Sequence, residues 1–142
     1  MKVLVTGSTQ GIGRAIAIEL AKDGCAILLN YKSNHAEAEA TKQMIEAIGG
    51  EAELMPFDVS QPDAINAALD NWFAAHPDEY IDVLVNNAGA NTRKDKVVDI
   101  NLDDLRYMFE LNCVSALGMI QEIYPLMAER KCGLLVNVLS SC

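Results

Sequence analysis

The sequence predicts an α/β domain: a doubly wound parallel sheet in three layers, α/β/α. Three observations predict it. Apolar runs of strand length alternate with helix-length stretches along all 142 residues. The strand-like runs include continuous apolar segments such as Val83-Leu84-Val85, which suits a sheet buried on both faces. A glycine-rich turn, Gly7-Ser8-Thr9-Gln10-Gly11-Ile12-Gly13, joins the first run to the first helical stretch.

Each element has its own justification. Residues 2–6 form a short apolar run that ends in glycine. Residues 13–23 are apolar all round, with Ile16 and Leu20 one turn apart, and stop at Gly24. Residues 26–31 are a second apolar run. Residues 35–48 place Ala40, Met44, Ala47 and Ile48 on one face, and Gly49-Gly50 ends that helix. Residues 51–57 alternate as a strand does, and 61–75 are amphipathic with Pro62 suited to a first turn. Residues 81–86 read as a buried strand and 92–99 as a polar loop. Residues 102–129 read as one long helix in which Leu105, Met108/Phe109, Ala116, Met119/Ile120, Ile123 and Met127 follow the 3.6-residue period. Residues 134–139 are the fifth strand. The βαβαβαβαβ order implies right-handed crossovers and a single Rossmann-like domain over 1–142, with ligands bound beyond the carboxyl ends of the strands.

Composition narrows the partners. A formal charge of −9 argues against nucleic acid and anionic membranes, both of which reward clustered Lys and Arg. Backbone N–H groups can still hold a phosphorylated ligand. Cys25, Cys113, Cys132 and Cys142 form no C-x-x-C pair, so mostly buried, reduced thiols are expected, with no metal or disulfide framework. No apolar run reaches the roughly 18 residues of a membrane span, and Met1-Lys2 leads straight into a strand, so a cytoplasmic location is expected.

The strand ends carry the candidate site. Three glycines in the first turn allow positive φ and close backbone approach, and the helix beyond them offers N–H groups to a pyrophosphate. The spacing is G-x-x-x-G-x-G rather than G-x-G-x-x-G. The second strand ends in Asn30-Tyr31-Lys32-Ser33 with no Asp or Glu for ribose hydroxyls; Lys32 and Arg14 could meet a 2′-phosphate, or Lys32 could be an ordinary loop charge. Asp58, after the third strand, could accept from an adenine amino group or could cap the turn before Pro62. Asn86-Asn87-Ala88-Gly89-Ala90 suits a backbone lying close to a flat ligand, and Asn87 could equally serve a structural network. Asn112 falls inside the apolar stripe of the long helix, where it could satisfy a carbonyl in the sheet or serve a site at which Asn86 and Ser140 should converge.

Together Thr6-Gly7, Gly11-Ile12-Gly13, Asp58-Val59, Asn86-Asn87-Ala88-Gly89, Asn112 and the strand running to Ser140 resemble the short-chain dehydrogenase/reductase family. The resemblance covers essentially the whole chain. Asn30-Tyr31 and Phe57-Asp58-Val59-Ser60 bring it nearest to 3-oxoacyl-[acyl-carrier-protein] reductases. It implies that Gly7, Ser8, Gln10, Gly11, Ile12 and Gly13 hold a pyrophosphate. It further implies that Tyr31 and Lys32 flank the cofactor, that Asp58 and Val59 meet adenine, and that Asn86, Ala88 and Gly89 line the cofactor. Ser140 would hydrogen-bond the substrate carbonyl, and Asn112 would order a proton-relay water. The cofactor implied is NADP(H), with NAD(H) second. The substrate is a small-molecule or acyl-carrier-protein-bound carbonyl compound, and the full-length form is expected to be a homo-oligomer.

Two departures qualify the resemblance. Gln10 stands where many NADP-using members carry Arg or Lys. None of Tyr31, Tyr80, Tyr107 and Tyr124 has Lys four residues on, so the family's Tyr-x-x-x-Lys is absent from these residues. In the family that tyrosine is the acid, a function worth about 10²–10⁴-fold. The chain is therefore expected to be the N-terminal portion of such a reductase, incomplete at its C-terminus and inactive alone. A non-catalytic NADP-binding module and an enzyme acting on another ketone or alcohol are the alternative readings.

Overall fold

The structure, a computed structural model, describes residues 1–91 and 96–139. Five parallel strands, β1 (Lys2–Val5), β2 (Ala26–Tyr31), β3 (Glu51–Pro56), β4 (Val83–Asn86) and β5 (Leu134–Asn137), lie in the order β3-β2-β1-β4-β5. The order reverses between β1 and the β4 side, which leaves a crevice at the carboxyl ends of those two strands.

Side-chain alternation along each strand builds two cores. Val3, Val5, Ile27, Leu29, Val83 and Val85 point to one face. There they meet Ala17 and Ala21 of α1 (Gly11–Lys22) and Ile45 of α2 (His35–Ala47). Leu4, Leu28 and Leu84 point to the other face, against Ile65, Leu69 and Trp72 of α3 (Pro62–Ala75) and against Met119, Ile123 and Met127. The register pairs Leu4 with both Leu28 and Leu84, so leucines run in a row across the sheet.

Helix ends follow the local chemistry. α1 gives way to Gly24 at φ +86 and α2 to Gly49 at φ +80, a left-handed conformation that glycine reaches without steric cost. Asn34 caps α2 by accepting from the Glu37 N–H at 3.2 Å. Pro62 opens α3, where its missing N–H costs nothing.

The expected single helix over 102–129 is three segments. α4 (Leu102–Phe109) runs into a π turn, Glu110–Val114, and then α5 (Ser115–Arg130). The π turn widens one turn by a residue, rotating α4 by about 100° relative to α5. A stripe continuous in sequence is therefore not continuous in space. Met119, Ile123 and Met127 are buried, whereas Leu105 and Phe109 are 49% and 62% exposed. Asn112 follows α4 to the surface and does not face the core. The thiols also depart from expectation: Cys25 is buried, but Cys113, on the π turn, and Cys132, just beyond α5, are exposed, and Cys142 lies outside the described residues.

Among the described residues no helix is long and apolar enough to cross a membrane, and no cluster of three His, Cys, Asp or Glu residues could hold a metal. Sheet edge β5 exposes Leu134 and Val136, and Tyr124, Leu126 and Leu117 of α5 are likewise exposed.

At the amino ends of the strands Asp82 joins three elements. Its carboxylate accepts from the Lys2 N–H at 2.8 Å and from Arg130 at the end of α5 at 3.0 Å. Its main chain pairs with Lys2 and Leu134. Partial burial alone would raise the Asp82 carboxyl, but these donors outweigh it and hold the group below the usual carboxylate value. A depressed carboxyl contributes stability above the unfolded value of about 3.9 and loses it as pH falls through the lower folded value. Asp82→Ala should cost about 1–3 kcal/mol at pH 7 by urea unfolding. The difference from wild type should shrink below about pH 3.9; an unchanged difference at pH 3 would disprove the assignment.

Candidate functional site

The turn from β1 to α1 is shaped by contacts that admit no side chain. Gly7 has φ +60, and a Cβ there would lie 2.9 Å from the Ala88 Cα. A Cβ on Gly13 would collide with the Gly7 carbonyl oxygen and the Asn87 amide nitrogen. Gly11 differs: φ is +52, yet a Cβ would meet nothing within 4 Å. Gly7 thus answers to packing as well as φ, Gly13 to packing alone, and Gly11 to its backbone conformation alone. Gln10 precedes α1 in extended conformation without a side-chain cap, and the first turn carries no acid. The helix N-terminus keeps its partial positive charge unsatisfied by side chains.

Two amides and a threonine brace this turn. Thr6 Oγ1 accepts from the N–H groups of Asn87 at 3.0 Å and Ala88 at 2.9 Å. Asn87 Nδ2 donates to the carbonyls of Thr6 at 3.0 Å and Gly7 at 3.2 Å. On the other side, Asn30 Oδ1 accepts from the Gly7 N–H at 3.3 Å. Asn30 Nδ2 donates to the carbonyls of Met55 and Phe57 at 3.2 and 3.0 Å. The alternative left open for Asn87 resolves toward the structural network, although the residue also lines the cleft.

That cleft, of about 480 Å³, opens over the carboxyl ends of β1, β2 and β4. It gathers Gly7, Gln10, Gly11, Ile12 and Gly13 from the turn, Tyr31 and Lys32 from the end of β2, Asp58 and Val59 from beyond β3, and Ala88 and Gly89 from beyond β4. Of the residues expected to bind cofactor, Ser8 and Asn86 are placed elsewhere. Ser8 is fully buried, and its hydroxyl donates to the Asn30 carbonyl at 3.1 Å, behind the turn. Asn86 lines an adjoining cavity of about 310 Å³ with Asn112 and Asn137, which shares Val59 and Ala88 with the cleft. Asn86 Nδ2 donates to Asn137 Oδ1 at 3.0 Å. Its buried Oδ1 has no hydrogen-bond partner among the described residues.

Charge in the cleft centres on Asp58. Oδ1 accepts from the Ser60 N–H at 2.9 Å and its hydroxyl at 2.7 Å, and Oδ2 pairs with Lys32 Nζ at 2.8 Å. Burial pushes the Asp58 carboxyl up, but the Lys32 and Ser60 hydrogen bonds prevail and hold it below the ordinary carboxylate value. The same bond raises Lys32, with a smaller contribution from nearby Tyr107. Tyr31 donates to or accepts from His35 Nδ1 at 2.6 Å, and burial raises its phenol. Arg14 points away from the cleft: its guanidinium is committed to Glu37, Thr41 and the Thr9 carbonyl. The sequence offered it as a possible 2′-phosphate contact; in the structure α1 turns that position toward α2.

Asn112 forms a two-way amide clasp. Oδ1 accepts from the Ala90 N–H at 2.9 Å, and Nδ2 donates to the Ala90 carbonyl at 2.8 Å. A Cβ on Gly89 would lie 2.5 Å from Asn112 Oδ1, which explains the glycine. Ser140 lies outside the described residues. Sequence reasoning missed the bracing by Asn30, for which the only signal was an amide at a strand end. It also missed Tyr107 and Leu111, which line the cleft without any local signal.

The glycine geometry separates two substitutions. Gly13→Ala should destabilise by several kcal/mol or prevent folding, since backbone and amide cannot both retreat. Gly11→Ala should cost only about 1–2 kcal/mol of left-handed strain. Equal thermal unfolding of the two variants would contradict the packing account.

Comparison with known proteins agrees with this geometry. The family model described as short chain dehydrogenase matches residues 1–142. A 3-oxoacyl-[acyl-carrier-protein] reductase of Synechocystis sp. is 33% identical over 139 residues, which cover 96% of this chain and 54% of the relative. A reductase of the same description from Staphylococcus epidermidis is 30% identical over 96% of this chain and 55% of its own length. The chain thus spans about half the length of the curated relatives it matches. A metagenomic short-chain oxidoreductase solved in complex with NADP superposes with a TM-score of 0.90 at 31% identity, covering 100% of this chain and 63% of that one. A 3-oxoacyl-[acyl-carrier protein] reductase from Brucella melitensis with bound NAD gives 0.84 at 30% identity, covering 96% and 52%. With its glycine turn, its 3-2-1-4-5 sheet and a match along its whole length, the chain belongs to the short-chain dehydrogenase family.

Proposed function

We propose that this chain is the cofactor-binding portion of an NADP(H)-dependent reductase of carbonyl compounds, which acts on a 3-oxoacyl group carried by acyl carrier protein and yields the 3-hydroxyacyl product; without a Tyr-x-x-x-Lys pair these 142 residues are inactive alone. The observation that carries the reading is the cleft itself, with an uncapped helix N-terminus at one end and Lys32 at the other. The residues present fit a dinucleotide. Gly11 leaves open space beside the turn, and Asn86 Oδ1 offers a buried acceptor for a donor on a bound group. The chemistry that a nicotinamide cofactor supplies is hydride transfer.

The roles follow from placement. Gly7, Gln10, Gly11, Ile12 and Gly13 receive the pyrophosphate through backbone N–H groups and the α1 dipole. Ser8 supports them from behind. Asp58 and Val59 meet adenine, and Tyr31 walls the ribose end. Lys32 answers the 2′-phosphate: the end of β2 brings no carboxylate into the cleft, and Asp58 comes from beyond β3. Ala88 and Gly89 form the floor toward the cavity around Asn86. Asn112 orders a relay water with the amide hydrogen and lone pair that Ala90 leaves free; Ser140, outside the described residues, polarises the carbonyl by family resemblance alone. Similarity to the Synechocystis and Staphylococcus reductases supports the choice of substrate. The exposed apolar residues of α4 and α5 support a homo-oligomer.

Calorimetric titration tests the cofactor reading. NADP⁺ should bind more tightly than NAD⁺, and Lys32→Ala should weaken NADP⁺ by about tenfold while leaving NAD⁺ nearly unchanged. Equal losses for both would remove Lys32 from the 2′-phosphate. Gly11→Asp should abolish binding without unfolding the protein, because Asp tolerates the left-handed region and its charge opposes the phosphates. Wild-type affinity in that variant would refute the cradle.

A further inference from the structure

Tyr107 is an aromatic residue that the fold does not require. It comes from α4, which buries none of its residues, and it remains 43% exposed. Other apolar residues of α4 are at least as exposed, Leu102 at 63%, Leu105 at 49% and Phe109 at 62%, but none of them lines the cleft. Tyr107 does, together with Leu111, four residues on. Side chains at that spacing stack on one helix face, so this face of α4 and the π turn forms a side wall of the cleft.

The features beside that wall define a ligand shape. Val59, Ala88 and Gly89 line the cleft with little bulk, and Asp58 adds an acceptor-rich edge. Lys32 stands on Asp58 at 2.8 Å, close enough to Tyr107 for the two to interact electrostatically. A flat ring with an exocyclic amine suits such a slot: its edge meets the carboxylate and its faces meet aliphatic and aromatic carbon. A purine gains more from an aromatic face than from water, whatever its hydrogen-bonding edge.

We infer that Tyr107 is a specificity-determining residue that forms the aromatic wall against the adenine ring, opposite Val59 and beside the Asp58 edge. The inference rests on the dinucleotide reading above and adds to it a residue outside the strand ends. It places the contribution in the ring face, not the phenolic hydroxyl. Tyr107 therefore favours ligands with a base over those with phosphates alone.

The test uses adenosine 2′,5′-bisphosphate, which carries the base, and pyrophosphate, which does not, in calorimetric titrations of the wild type, Tyr107→Ala and Tyr107→Phe. Tyr107→Ala should weaken the bisphosphate by about tenfold and leave pyrophosphate within twofold. Tyr107→Phe should bind both ligands as wild type does. Thermal unfolding should match in all three proteins, since the side chain is half exposed. If wild type binds the bisphosphate and Tyr107→Ala binds it equally well, the wall is refuted while the dinucleotide reading stands. A loss shared by both ligands, or a Phe variant as weak as Ala, also overturns it. If wild type binds neither the bisphosphate nor NADP⁺, the dinucleotide reading fails and the inference falls with it.

Discussion

Close backbone contact between the β1–α1 turn and the segment after β4 governs the rest of this structure. Gly7 lies so near Ala88 that a Cβ on it would sit 2.9 Å from the Ala88 Cα, and Asn87 ties the carbonyls of Thr6 and Gly7 to the end of β4. Thr6 returns two bonds to the same segment. These bonds satisfy polar groups at the crevice where the strand order reverses, groups that would be costly if left unpaired. They also decide where the N-terminus of α1 points, and with it the cleft.

Asn30 closes the other side of that arrangement. A single amide accepts from Gly7 and donates to the carbonyls of Met55 and Phe57, so β2 sets the turn before it and the chain after β3 together. The position of Asp58 follows, because it lies one residue beyond Phe57. Polar bonds of this kind contribute modestly to net stability and strongly to geometry, since each fully paired group has few alternatives. The two apolar cores supply burial; the amides supply the register of the strand ends.

The π turn has a different consequence. It rotates α4 away from the sheet, which exposes Leu105 and Phe109 while bringing Tyr107 and Leu111 to the cleft. The Asn112–Ala90 clasp pins that rotation to the segment after β4. One extra residue in a helical turn thus separates an outer helix that frames the cleft from an inner helix that packs the core.

Much of this was legible in sequence. Strand-length apolar runs, glycine helix ends at Gly24 and Gly49, and Pro62 at the start of α3 are local signals, because each residue acts through its own backbone or its nearest neighbours. The parallel order and the glycine turn followed from them, as did most of the residues that line the cleft. Tertiary structure decided what depends on partners far along the chain. It buried Ser8 behind the turn, sent Arg14 to Glu37 and drew Asp58 onto Lys32. It also interrupted the helix around Asn112, since 3.6-residue periodicity cannot register one added residue in a turn. Sequence alone determined which residues gather at the strand ends. Only the packed structure decided which of them face the cleft, because a side chain's direction there depends on hydrogen bonds to strands whose register no local pattern specifies.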